Sequence, residues 1–185
     1  MKSFILISFL LLFSTAIAQE INQEINQENG QSFLVGEIDI TGLSSKSYQS
    51  WYSTNQKAYT VANEIVTAMK DDLAKHQILI FMGTWCGDSK REVPRFIKIL
   101  EAADFPIENL KIVGLDRRKE HYKKSPNGEE WGLQIKRVPT FIFYKNGKET
   151  NRIIESPIVS LEEDIKAIVS NTAYTPNYPK SMHFD

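Results

Sequence analysis

A lone cysteine stands in the stretch Thr84-Trp85-Cys86-Gly87-Asp88-Ser89, directly after an apolar run and directly before residues of helical period. A thiol at a helix N-terminus faces unpaired backbone N–H groups and the positive end of the helix dipole, and both favour the thiolate. The thiolate is the nucleophile of disulfide exchange. Trp85 would form an apolar wall beside the sulfur, and Gly87 would let the chain turn tightly. A buried, inert sulfur is the blander role for a single cysteine, but the flanking tryptophan, glycine and helix start point to a reactive one. Ser89 offers a hydroxyl that can hydrogen-bond either a thiolate or a backbone N–H. Asp88 reads as a helix-start acid, favourable to the dipole. Cys86 is the only cysteine of the 185 residues, so no intramolecular disulfide can form. His76, His121 and His183 are widely spaced and show no metal-ligand pattern with it, so no metal or other cofactor is expected.

The elements that must position this turn follow from periodicity. Residues 77–82 form a continuous apolar run, as in a strand covered on both faces, and a helix is expected from about Gly87 to Leu100. Pro94 falls inside that helix and should kink it. Residues 110–115 and 138–144 read as further strands. Pro139 follows Val138 after a basic pair and is a candidate cis peptide. Asn146-Gly147 is a two-residue hairpin signal, and Ser160 with Glu163 forms a capping box for a helix over 161–169. Upstream, 33–40 alternates weakly as a first strand. From Ser47 to about Lys75, aromatic and aliphatic residues recur at three and four, predicting one long amphipathic helix with its stripe in the core. The charged cluster 116–124 reads as a solvated helix face, with phosphate or an acidic partner as a minority role. Strand and helix alternate and end in a hairpin and a helix. That order predicts an α/β domain with a mixed central sheet flanked by helices.

Several of these features, in this order, resemble the thioredoxin family. Trp85-Cys86-Gly87 is similar to the start of that family's redox turn, Pro94 to its helix-kinking proline, Val138-Pro139-Thr140 to its cis-proline loop, and Tyr144-Lys145-Asn146-Gly147-Lys148 to its last hairpin. The likeness spans about residues 76–170, with the leading strand and helix supplied by 33–75, and implies a three-layer thioredoxin-like fold. It assigns the attack on a substrate disulfide to Cys86 and pairing with the substrate backbone to Val138, with Pro139 keeping that loop close to the sulfur and Trp85 alongside. Ser89 occupies the place of the family's resolving cysteine and cannot attack a disulfide. Ile80 stands where many members bury a proton-relaying aspartate. The expected activity is therefore monothiol exchange or isomerisation: Cys86 captures a disulfide, and an external thiol, a redox partner or the substrate's second cysteine releases it. The same surface also suits a redox-inert module that binds extended peptides or a partner protein beside Pro139.

Composition places this chemistry outside the cytoplasm. Lys2, an apolar stretch and Ala16-Ile17-Ala18 form a signal peptide over 1–18, too short to span a membrane. The mature chain would start at Gln19 and be periplasmic or secreted. The expected organisation is a flexible polar leader over 19–32, a thioredoxin-like domain over 33–170, and an extended tail over 171–185 that drapes over the domain or stays loose. A net charge of −1 argues against nucleic acid as partner. Exported proteins bearing disulfides or thiols are the expected partners of a monomer that has no membrane contact once the signal is removed.

Overall fold

The computed structural model describes residues 20–178; the expected signal peptide lies outside them. Six strands form one sheet in the order β1-β2-β4-β3-β5-β6, comprising β1 Gln23–Asn26, β2 Ser32–Ile38, β3 Gln77–Met82, β4 Leu110–Gly114, β5 Thr140–Lys145 and β6 Lys148–Ile154. Only β3 and β4 pair in parallel; the other four pairings are antiparallel. The parallel pair is joined by the helix α4 Gly87–Ala102, which is the long crossover such a pair requires. Asn146 and Gly147 both take positive φ, 53° and 73°, the conformation of the tight hairpin turn expected between β5 and β6. Helix α5 Leu161–Val169 begins where expected, with the Ser160 side chain accepting from Glu163 N–H. This is a mixed α/β fold with a mixed sheet flanked by helices.

The sheet is covered on both faces, as the unbroken apolar run of β3 requires. Ile78, Ile80 and Met82 join the larger core cluster with Phe141 and Phe143 and with the buried faces of the helices. Phe81 joins a second cluster with Val113, Leu115, Val138 and Ile142, against which Leu79, Trp85, Cys86, Leu133 and Ile135 pack. The helices thus serve mainly one face. The other is closed by the site residues and the segment between β4 and β5.

Three expectations are corrected. The polar leader is not flexible throughout: residues 23–26 form β1, an antiparallel edge strand with Gln23 opposite Val35 and Asn26 opposite Ser32. Pairing orders it, aided by Tyr48, whose hydroxyl donates to Glu24 at 2.6 Å. The single helix over 47–75 is instead two, α2 Gln49–Ala58 and α3 Asn63–Leu73, after a one-turn helix α1 Ile40–Leu43. Between α2 and α3 the chain is extended at Tyr59, and its polar groups find distant partners. Lys98 Nζ donates to the carbonyls of Gln56 and Tyr59, while the buried Glu162 carboxylate accepts from Tyr59 Oη and Ala62 N–H. These bonds replace the helical ones the break gives up, so α2 can pack on α4 and α3 on α5. The charged cluster 116–124 is a loop with one 3-10 turn at Lys119–His121, not a helix face.

The tail drapes rather than hanging loose, as far as it is described. Tyr174 Oη donates to Asp164 at 3.0 Å, and Asn177 Nδ2 donates to the Ser156 carbonyl at 2.9 Å.

Candidate active site

Cys86 is the N-cap residue of α4, with extended backbone (φ −89°, ψ 131°) and a half-buried side chain. Its carbonyl accepts the first helical bond, from Lys90 N–H at 3.0 Å, and its own N–H closes a tight turn onto the Gly83 carbonyl at 2.8 Å. Strand, turn and helix therefore place the sulfur at the open end of the sheet, over the free N–H groups of the first helical turn. The thiol donates to the Val138 carbonyl at 3.3 Å. The Val138–Pro139 peptide bond is cis, and both residues are buried. Two segments 52 residues apart in sequence thus meet at the sulfur.

The turn depends on Gly83 rather than Gly87. A Cβ on Gly83 would lie 2.6 Å from the Trp85 ring, whereas a Cβ on Gly87 would meet nothing within 4 Å, and Gly87 has no positive φ. Trp85 packs against the same core cluster as Cys86 and is anchored: Nε1 donates to the Leu115 carbonyl at 2.8 Å. Its ring lies 5.7 Å from that of Tyr122, tilted by 37°.

Ser89 is fully buried, and its Oγ accepts the Gly83 N–H at 3.2 Å. Of the two roles open to its hydroxyl, the structure shows the backbone bond. Asp88 pairs with Arg91 at 2.8 Å, and Arg91 also holds Glu92; the acid so placed is partly neutralised on the helix flank. Ile80 is fully buried in the larger cluster, so an apolar side chain fills its place in the sheet. Pro94 is buried inside α4.

The turn is also tied to the far side of the sheet. Thr84 is buried, and its Oγ1 accepts from Leu34 N–H in β2 at 3.0 Å. Thr84→Val keeps the shape but leaves that donor unpaired, at a cost of about 1–3 kcal/mol. In urea titration its midpoint should fall while the slope stays unchanged.

Sequence reasoning missed the residues that close the site from the β4–β5 loop. Tyr122 packs on Trp85, and Lys123 Nζ donates to the Lys136 carbonyl. Arg137 pairs with Glu155 at 3.1 Å, and its guanidinium lies 4.4 Å from the Tyr178 ring centroid. The only sequence signal was the clustering of Lys, Arg and Tyr at 117–124, which a solvated helix would also display.

The lone thiol, the cis bond beside it and the mixed sheet define a thioredoxin-like protein. A thioredoxin family model matches residues 41–167, and the chain belongs to that family. A thioredoxin-like protein of Acanthamoeba polyphaga mimivirus is 30% identical over 108 residues, which cover 56% of this chain and 69% of that protein. A thioredoxin of Geodia cydonium is 29% identical over 100 residues, covering 54% of this chain and 85% of its own. Among solved structures, mitochondrial thioredoxin 3 of Saccharomyces cerevisiae in its oxidized form is similar over 60% of this chain and 97% of its own, at 24% identity and a TM-score of 0.35. Membership supports a general thiol–disulfide redox function.

Proposed function

We propose that this chain is an exported monothiol oxidoreductase or isomerase that works through Cys86. The observation that supports this best is the thiol itself, at the N-cap of α4 and 3.3 Å from the carbonyl of the residue before a cis proline, with a buried serine at position 89. In the first step Cys86 loses its proton to solvent, and the thiolate attacks one sulfur of a substrate disulfide. An Sγ–S bond forms, the substrate S–S bond breaks, and the second substrate sulfur leaves as a thiolate that takes up a proton. In the second step an external thiolate, or the thiolate just released, attacks the mixed disulfide and frees Cys86. External release leaves the substrate as a mixed disulfide with that thiol, and a second equivalent of the thiol then completes the reduction, leaving as the disulfide of the two external thiols. Return of a different substrate sulfur gives isomerisation. Trp85 would shield the mixed disulfide, and Val138 and Pro139 would align the substrate backbone beside it, a small case of strand addition.

The test uses the purified chain and glutathione disulfide at neutral pH. The expected result is addition of one glutathione per chain, reversed by excess thiol and absent in Cys86→Ser. If Cys86 labels no faster than a cysteine in a free peptide and forms no mixed disulfide, the reading is overturned. Binding of extended peptides by Cys86→Ala as well as by the parent would then favour the redox-inert module. Covalent trapping of exported proteins on Cys86 in cells would establish both the compartment and the substrates.

A further inference from the structure

We propose that the cavity between the β1–β2 hairpin and the loop 116–131 binds a small organic anion, a carboxylate or phosphate carried on a flat apolar body. The cavity measures about 420 Å³, in the size range of small-molecule pockets. None of Trp85, Cys86, Val138 and Pro139 lines it, so the site is separate from the thiol. Its floor comes from the strand that orders the polar leader. Gln23 and Ile25 share one side of β1, and Val35 lies opposite Gln23 on β2, so all three turn to the face that the loop covers. The loop is pinned over them. Arg117 Nη1 donates to Gln31 Oε1 at 2.8 Å, and the Pro126 ring sits over Gly36, 3.7 Å from where a Cβ would stand.

One wall is basic. Arg118, His121 and Lys124 all line the cavity, and backbone bonds join them in steps of three: His121 N–H donates to the Arg118 carbonyl at 3.0 Å, and Lys124 N–H to the His121 carbonyl at 2.8 Å. Side chains three apart in such a turn stand one above the other. The charged run of the sequence thus delivers three bases to one place. The acids there are engaged within the loop. Buried Asp116 accepts the Arg118 backbone N–H at 2.7 Å and its Nε and Nη2 at 3.0 and 2.6 Å. That fork fixes the guanidinium and leaves its Nη1 hydrogens for another acceptor. Glu130 accepts from the Ser125 N–H at 3.0 Å and from its hydroxyl. Among the described residues, His121 and Lys124 have no acidic partner.

The remaining lining is apolar and aromatic. Trp131 lines the cavity and is nevertheless 79% exposed. Its indole lies against the backbone of Gly128, where φ is +72° and a Cβ would stand 2.6 Å from the ring. A lone exposed aromatic is ordinary on a protein surface. Here the indole shares a cavity with Ile25, Val35 and the three bases, which divides the lining into an apolar part and a cationic part. An inorganic ion would use only the second and a neutral aromatic only the first. An aromatic anion uses both.

Isothermal titration calorimetry of the full chain with phenyl phosphate and with benzoate tests the site, inorganic phosphate and benzyl alcohol serving as headgroup and body alone. The tighter of the two aromatic anions should bind one per chain with a Kd of about 1 mM or below, and its headgroup is the one the site takes. Either half alone should bind more weakly by about tenfold or more. Lys124→Gln, which removes a cation, should weaken the anion about tenfold, and Trp131→Ala should weaken it roughly two- to tenfold. Both side chains are exposed, so neither change enters the core. Absence of saturable binding by both anions overturns the proposal. So does an anion that Trp131→Ala leaves unaffected or that inorganic phosphate matches, since the basic wall would then attract ions with no use for an apolar body. Benzyl alcohol binding as tightly as the anions also overturns it, for the basic wall would then play no part.

Discussion

Ser89→Cys is expected to convert the chain from a thiol that captures disulfides into one that turns over insulin reduction with dithiothreitol as electron source. The parent must wait for an outside thiol after Cys86 is captured. A second thiol three residues along the same helix acts intramolecularly, at an effective concentration of about millimolar or above, so at micromolar reductant release should quicken by on the order of 10²–10³-fold. Position 89 is fully buried, one helical turn from the N-cap, so the new thiol would be hidden from bulk substrates and meet the bond that Cys86 has already taken. The change has a cost, since sulfur is a weak acceptor for the Gly83 N–H that Ser89 now binds. About 1 kcal/mol of stability should be lost with it. A folded variant that reduces insulin no faster than the parent would mean that this turn is not arranged for exchange.

The largest loss of stability is expected from Gly114→Ala. Gly114 closes β4 opposite Gly36 of β2, which has a φ of +73°. A Cβ on Gly114 would lie 2.6 Å from the backbone oxygen of Leu34 and 2.6 Å from Cδ1 of Ile38. The Ile38 side chain can turn aside, but the Leu34 carbonyl cannot move without disturbing the Leu34 N–H bond to Thr84 beside the site. Overpacking of this kind costs about 1–3 kcal/mol, and a backbone contact belongs at the upper end. For a chain of this size that is a fall in Tm of roughly 5–10 °C. Gly87→Ala is the matching control: its Cβ is unopposed, and alanine is the better helix former, so Tm should hold or rise. Scanning calorimetry on the two variants distinguishes them, and equal shifts would contradict the crowding described at Gly114.

What the sequence disclosed and what it hid divide along the range of the interactions involved. The apolar run of β3, the Asn146-Gly147 turn, the Ser160 cap and the helix after Cys86 are set by residues within a few positions of one another, so pattern alone located them. The break at Tyr59 is set by Lys98 and Glu162, partners tens of residues away, and no local signal overrode the helical stripe. Strand β1 is polar and short; its order comes from pairing with β2 and from Asn22, whose side chain bonds both the backbone N–H and the carboxylate of Asp39. In the site, Cys86, Trp85, Val138 and Pro139 were legible because a thiol, an indole and an X–Pro bond have few alternative uses. Tyr122, Lys123 and Arg137 were not, because basic and aromatic residues in a loop look the same whether they face solvent or pack beside Trp85 and the cis-proline loop.

A single cysteine also alters how such a protein registers its surroundings. A dithiol protein closes its own disulfide, so its oxidised fraction follows the concentration of glutathione disulfide divided by the square of that of glutathione. It therefore changes when the whole pool is diluted at constant ratio. With only Cys86 available, every disulfide form of this chain includes a second molecule. Its glutathionylated fraction follows the simple ratio of the two glutathione forms, and dilution leaves it untouched. With serine and not cysteine at position 89, a thiol that exchanges with glutathione would register proportion rather than amount.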